Sequence, residues 1–331
     1  MAENLTIDDI AEALGVSKTT VSRAISGKGR ISAATTARVK DYISRIHYKP
    51  NAVARGLAQQ RTFNIGVVCP TDYDLFDLPY FHKCLRGIGE VTSEKGYDIL
   101  MSLITGSEIS NLKRMVEDRK VDGVILTRTM FDDPPAEYLK AAGIPFVVIG
   151  SSPDKELVQV DNDHLDACCE LTQILIGKGF RRLVLFGKDE TQVITDTRKK
   201  GFTAAFESAG LKADPSMLYM GVNSEQAAEH AVADAMRRGA QGIVCMDDMI
   251  ASLVMAVCRR KRIRVPGDIR VASFYNSALL TGSDPAVTAI DIDDRKLGGT
   301  AAVTLLQMID GEQPGSTLLR DYQIILREST K

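Results

Sequence analysis

The stretch Ile10-Ala11-Glu12-Ala13-Leu14-Gly15-Val16-Ser17-Lys18-Thr19-Thr20-Val21-Ser22-Arg23-Ala24-Ile25 constrains this chain more than any other. It reads as two short helices joined by a tight turn. Ile7, Ile10, Ala11 and Leu14 recur at three- and four-residue spacing, so the first helix has one apolar face. Gly15 stands where that helix must stop, and glycine alone takes the left-handed backbone of the turn without cost. Ser17 is placed to cap the second helix. Ala11 is small where the helices cross, and Val21 faces back into the same core. Lys18, Thr19, Ser22 and Arg23 are left facing outward. A helix presenting donors in this way suits a DNA major groove; a helical hairpin with a solvated polar face is the plainer alternative.

Charge distribution separates the two ends of the chain. Residues 1–61 carry ten Lys/Arg against five Asp/Glu, while the remainder carries 31 against 38. A basic head on an acidic body is expected when one module meets phosphate and another does not. Tryptophan is absent and aromatics make up 6%, so a stacking groove for single strands is not expected. The six cysteines (69, 84, 168, 169, 245, 258) form no CxxC pair and no metal spacing with His47, His82, His164 or His230. They read as buried apolar fillers in a reducing cytoplasm. His47 belongs to the head, and the other three histidines read as solvated helix positions. The amino-terminal segment lacks the basic and apolar regions of a signal peptide, and no apolar run reaches membrane-spanning length. A cytoplasmic protein without membrane contact is expected. GxGxxG, GxxxxGK[ST] and GxSxG are missing, so neither an enzyme nor a bound cofactor or metal is expected.

After the hairpin, Ser32 opens a third helix carrying Val39, Ile43 and Ile46, and Pro50-Asn51 opens a short fourth. Such a short helix, weakened further by Gly56, should order only when something holds it. From Phe63 the pattern becomes strand runs alternating with helical segments. Strands are expected at 64–69, 99–103, 123–127, 146–149, 183–186, 242–245 and 271–274. Alternation of this kind means parallel sheets with helices on both faces, here in two similar halves.

Gly15-Val16-Ser17-Lys18-Thr19-Thr20-Val21-Ser22-Arg23 followed by Tyr48-Lys49-Pro50-Asn51-Ala52-Val53-Ala54 closely resembles the headpiece and hinge of the lac-repressor (LacI/GalR) family of bacterial transcription regulators. The resemblance continues through nearly all of the chain. It implies an all-α helix-turn-helix headpiece (1–48), a hinge helix and linker (49–62), and an α/β two-lobed periplasmic-binding-protein-like body (63–331) of two doubly wound parallel sheets. Three crossovers would give lobe one as 63–160 plus 292–319 and lobe two as 161–289 plus 320–331. The implied function is a transcriptional repressor that binds a pseudo-palindromic double-stranded operator as a homodimer, under control of a small-molecule effector such as a sugar. Lys18, Thr19 and Arg23 are the expected base readers. Thr6, Ser17, Ser22, Ser32, Thr35, Tyr48 and Asn51 are expected at phosphates. Ala54, Arg55 and Leu57 are expected in the minor groove at the hinge, with Leu57 as an apolar wedge; packing of Leu57 on the body is its alternative.

Ligands of open α/β sheets bind beyond the carboxyl ends of strands, here between the lobes. The loops of suitable polarity hold Tyr80-Phe81, Asp161-Asn162, Arg198, Asp247-Asp248 and Tyr275-Asn276. In family terms Arg198 and Asp248 match the most widely shared effector ligands, Asp161 another, Tyr80 and Phe81 an aromatic pair, and Thr127 a further lining position. The plainer roles are a surface ion pair of Arg198 with Asp196 or Glu207, and helix capping by Asp248. Three departures from the family pattern stand out. The segment 71–78 is about four residues longer than usual, Asp247-Asp248 replaces Asn-Asp, and Ser273-Phe274-Tyr275-Asn276 replaces Gly-Phe-Asp-Asp. Tyr275 thus puts a phenol where a carboxylate ligand is usual. A solute receptor for transport, using the same cleft, is the competing function; it would need an export signal or lipid anchor. An enzyme with an accessory head would need a catalytic constellation.

Overall fold

The computed structural model describes residues 6–26, 29–46, 48, 56, 59–71 and 79–331. The expected hinge and phosphate residues Asn51, Ala54, Arg55 and Leu57, and most of the long segment 71–78, lie outside the described residues. Two compact units divide the chain, one ending at Thr62 and the other beginning at Phe63.

In the first unit, helices α1 (Ile7–Leu14), α2 (Lys18–Ser26) and α3 (Ala33–Arg45) enclose a small core of Ile10, Ala11, Val21, Ala24 and Val39. Thr6 starts α1 through a capping box, its hydroxyl accepting from the Asp9 N–H while the Asp9 carboxylate accepts from Thr6. Gly15 ends α1 at φ 62°, the left-handed cap that its position required. Ser17 and Ser32 start α2 and α3 by accepting from the N–H groups of Thr20 and Thr35. The Arg38 guanidinium donates to the Leu14 carbonyl oxygen, tying α3 to the end of α1.

The second unit holds two six-stranded sheets. The strands, in chain order, are β1 (Asn64–Pro70), β2 (Asp98–Ile104), β3 (Gly123–Leu126), β4 (Phe146–Ile149), β5 (Gln159–Asn162), β6 (Leu183–Phe186), β7 (Leu218–Tyr219), β8 (Gly242–Cys245), β9 (Arg270–Ser273), β10 (Thr288–Ile292), β11 (Thr317–Leu319) and β12 (Tyr322–Ile325). The first lobe is built on the order β11-β5-β4-β3-β1-β2 and the second on β12-β10-β9-β8-β6-β7; among the described residues, β10–β12 is the one antiparallel pair of these strands. The intervening helices are α4 (Pro79–Glu94), α5 (Ser110–Glu117), α6 (Pro134–Ala142), α7 (His164–Gly177), α8 (Val193–Ser208), α9 (Glu225–Arg237), α10 (Asp248–Lys261), α11 (Ala278–Thr281) and α12 (Asp294–Ile309).

Period-two alternation explains the layers. Ile65, Val67, Ile125, Val147 and Ile149 face α4 and α12, while Val68, Val124, Leu126 and Val148 face the layer of Leu112, Met115 and Leu139 on α5 and α6. A strand apolar on both faces must be covered on both, and a parallel sheet is the arrangement that does so. Helices α4 and α12 pack backbone to backbone. A Cβ at Gly87 would meet the Arg295 carbonyl oxygen, and one at Gly298 would meet that of Cys84.

The chain passes between the sheets three times, after Asn162, after Ile292 and after Leu319. These passages fall two or three residues later than the sequence indicated for the first two: Asp161 and Asn162 belong to strand β5 of the first lobe, and residues 290–292 to strand β10 of the second. Polar residues at both ends read as loop locally, and only pairing with β4, β11 and β12 makes them strand. A backbone ribbon also joins the lobes. Phe131 N–H donates to Thr191 O at 3.1 Å and Val193 N–H to Thr129 O at 3.4 Å. No helix among the described residues is long and apolar enough to cross a membrane.

Candidate functional site

On the first unit, Ser17, Lys18, Thr19, Ser22 and Arg23 are exposed on one side of α2, opposite buried Val21 and Ala24. The three expected base readers therefore share an accessible face. Lys18 also reaches Asp8, with Nζ 2.7 Å from the carboxylate, in an ion pair that is largely in water. Among the expected phosphate residues, Thr6, Ser17 and Ser32 occupy N-cap positions and Thr35 bonds Ser32 through its hydroxyl at 2.8 Å. Tyr48 packs partly buried against the three-helix core.

In the second unit, the carboxyl ends of both sheets line one cavity that leaves about 170 Å³ open to the centres of water molecules. All seven effector residues expected from the sequence line it: Tyr80, Phe81, Thr127, Asp161, Arg198, Asp248 and Tyr275. The strand order places them there, since each loop leaves the carboxyl end of a parallel strand. Tyr80 and Phe81 open α4 beyond β1 with their rings edge to face at 5.0 Å. The Tyr80 hydroxyl donates to the Thr127 carbonyl oxygen at 3.3 Å, and the Thr127 hydroxyl donates to Val68 O at 2.7 Å. Both polar groups of this wall are thereby fixed, leaving an aromatic surface suited to the apolar face of a ligand.

The opposite wall is charged. Arg198 makes neither of the surface ion pairs considered above. Its Nη1 donates to the Met246 carbonyl oxygen at 2.6 Å, which holds the guanidinium in the cavity, and its buried Nε lacks a hydrogen-bond partner. Asp247, not Asp248, caps α10, accepting from the Ile250 N–H at 2.8 Å. Asp248 is 3% exposed, its Oδ2 has no hydrogen-bond partner, and burial pushes its pKa up. Asp161 accepts from the Ser151 hydroxyl at 2.7 Å and from the Asn162 N–H at 2.8 Å; burial raises its pKa against those bonds.

Among the lining residues that the sequence reading left out, two are buried and titratable. His164, expected as a solvated helix residue, is 9% exposed and lines the cavity. The first turn of α7 faces the cleft directly after the crossover, so a position that is polar by composition is buried by topology. Asp294 opens α12 behind the capping Asp293 and also lines the cavity. Its carboxylate accepts from the Tyr275 hydroxyl at 2.6 Å and lies 3.5 Å from Lys83 Nζ; burial nonetheless lifts its pKa to about 6. Tyr275 follows β9 of the second lobe and Asp294 packs with the first, so this hydrogen bond spans the cleft. Burial, and then the nearby Asp294 carboxylate, hold Tyr275 as the neutral phenol. A carboxylate of the first lobe thus stands against the phenol at position 275. Groups of His, Cys, Asp and Glu able to hold a metal ion are absent among the described residues.

Comparison with known proteins agrees with this architecture. Residues 6–51 match the family model for bacterial regulatory proteins of the lacI family, and residues 172–330 match that for a periplasmic binding protein-like domain. The chain is 28% identical over 332 residues to the HTH-type transcriptional regulator CelR of Thermobifida fusca. It is 29% identical over 343 residues to the HTH-type transcriptional regulator MalR of Staphylococcus xylosus, and each alignment covers 98% of both proteins. Among solved structures, a transcriptional regulator CelR–cellobiose complex superposes with a TM-score of 0.75 at 27% identity, covering 98% of this chain and 99% of that one. The lac repressor dimer bound to operator and the anti-inducer ONPF shares the fold with a TM-score of 0.81 at 24% identity over 99% of each chain. A helix-turn-helix head with a donor-bearing α2, a body of two parallel-sheet lobes, and similarity to regulators such as CelR and MalR agree: the chain carries a lacI-family DNA-binding domain and a periplasmic-binding-protein-like domain, and it is a DNA-binding transcriptional regulator.

Proposed function

We propose that this regulator is a cytoplasmic repressor that binds a pseudo-palindromic operator as a homodimer and releases or tightens its hold when a small saccharide fills the cleft. The observation that carries the reading is the convergence of seven expected ligand residues on one cavity in which buried polar atoms of Arg198, Asp248 and His164 have no hydrogen-bond partner. Buried polar groups are ordinarily satisfied, so a cluster that is not points to a bound molecule. The aromatic wall and the polar wall together suit a saccharide ring, and cellobiose, carried by the CelR structure, is the first probe to try.

Lys18, Thr19 and Arg23 read bases in the major groove, while Thr6, Ser17, Ser22, Ser32, Thr35 and Tyr48 sit where helix N-termini and hydroxyls meet phosphate. Asn51, Ala54, Arg55 and Leu57 complete the contacts through the hinge. Pairing of two bodies is supported by Met101 and Leu103, exposed apolar residues on the edge strand β2. Ligand and operator affinities are then coupled reciprocally through the angle between the lobes.

Fluorescence anisotropy of the full chain on palindromic and random duplexes, with and without cellobiose or maltose, tests the reading. Preference for a palindrome that shifts with one saccharide is expected. Equal affinity for all duplexes, unmoved by any of the compounds, overturns it.

A further inference from the structure

His164 is buried on the wall of the cavity. It begins α7 in the second lobe, immediately after the chain leaves β5, and lines the same cavity as Arg198, Asp161 and Asp248. Its Nε2 lies 3.6 Å from Asp161 Oδ1, whereas its buried Nδ1 has no hydrogen-bond partner. Burial, reinforced by the Arg198 guanidinium, holds the imidazole pKa well below its ordinary value, so the ring is neutral. A neutral imidazole has one N–H and one lone pair. Asp161 stands against Nε2 and offers only acceptor oxygens as a carboxylate, so the N–H belongs on Nε2 and the lone pair on Nδ1.

We propose that His164 is an effector-binding residue, its Nδ1 accepting a hydrogen bond from a hydroxyl of an uncharged polyhydroxylated ligand. This rests on the saccharide reading above and adds a residue and a polarity to it. The unmet groups around the cavity are a donor, Arg198 Nε–H, and two acceptors, Asp248 Oδ2 and His164 Nδ1. A hydroxyl both donates and accepts, so neighbouring hydroxyls of one ring satisfy all of these together. A fully ionised phosphate or a carboxylate brings acceptors alone and would leave two of the groups facing lone pairs. His164 therefore selects for hydroxyls and against anions at this end of the cleft.

The test is calorimetric titration of the full chain and two variants with cellobiose and with maltose, beside thermal melting of each protein. His164→Phe keeps a ring but removes the acceptor, and it should weaken binding at least about tenfold. His164→Asn sets a carbonyl oxygen near the place of Nδ1 and should recover most of the loss, with melting of both variants close to that of the parent. Binding by the parent that His164→Phe leaves unchanged overturns this assignment and spares the saccharide reading. Equal loss in both variants, with or without a lowered melting temperature, overturns it as well. Failure of the parent to bind either disaccharide overturns the saccharide reading, and the assignment with it.

Discussion

The two units use side chains in opposite ways. On α2 the working residues stand in water, and the core beneath them, centred on Ile10, Ala11, Val21, Ala24 and Val39, contains none of them. In the cleft the working residues are buried or half-buried, and Arg198, Asp248 and His164 carry buried, unmet hydrogen-bonding groups that weigh against folding. An exposed recognition face can change with little effect on stability, whereas a buried one cannot be altered without changing the energy of its support. The head thus separates stability from recognition, and the body joins them.

The comparison is open to attack at several strengths. The largest effect is expected from Asp248→Ala, which removes a buried carboxylate facing the ligand. Saccharide binding should fall by about 2–5 kcal/mol in calorimetry while operator affinity without ligand is retained. Gly298→Ala comes next. A methyl group there meets the Cys84 carbonyl oxygen, so α4 and α12 must separate. Loss of about 3 kcal/mol is expected in urea unfolding of the body, with the head's helices unaffected.

Asp294 sharpens the point through pH. Its folded-state pKa of about 6 lies above the ordinary carboxylate value, so the fold favours the acid form. Its contribution is intact below about pH 4 and lost as pH rises through 6. Between pH 7 and pH 4.5 the parent should gain about 2 kcal/mol relative to Asp294→Asn, read from urea midpoints. Arg23→Ala should cost about 1–3 kcal/mol in operator discrimination and leave the melting curve in place, as a surface reader should. Smallest of all, Asp8→Asn breaks the exposed pair with Lys18, and head stability should move by less than about 0.5 kcal/mol. A large stability loss in Arg23→Ala, or none in Gly298→Ala, would dissolve the contrast.

What the sequence made legible follows the same division. Helices α1–α3 carry legible start and stop signals in Gly15, Ser17 and Ser32, within a few residues of where they act, whereas the capping role of Thr6 was not read. Strands β4, β6 and β8 lie at the residues expected, because each is a short β-rich run bounded by turns. Strand β5, Gln159-Val160-Asp161-Asn162, has no such pattern; it is strand because β4 and β11 flank it from distant parts of the chain. Paired acids pose the same difficulty. In Asp247-Asp248 and Asp293-Asp294 the first residue caps a helix and the second lines the cavity uncapped, although Asp247 reaches the cavity too, and nothing local says which plays which part. His164 was missed for that reason too, since only the crossover turns its first helical turn inward.

The three passages between the lobes bear on how the protein is made. Helix α12, which closes the apolar layer under β3, β4 and β5, follows the whole of the second sheet except β12 in chain order, and β11 follows later still. On the ribosome the head can fold as soon as its three helices emerge. The first lobe, begun next, keeps an uncovered sheet until nearly the last residues are synthesised. The growing body therefore depends on nascent-chain protection for most of its translation, and a truncation between residues 63 and 309 should leave an intact head attached to an aggregation-prone stump.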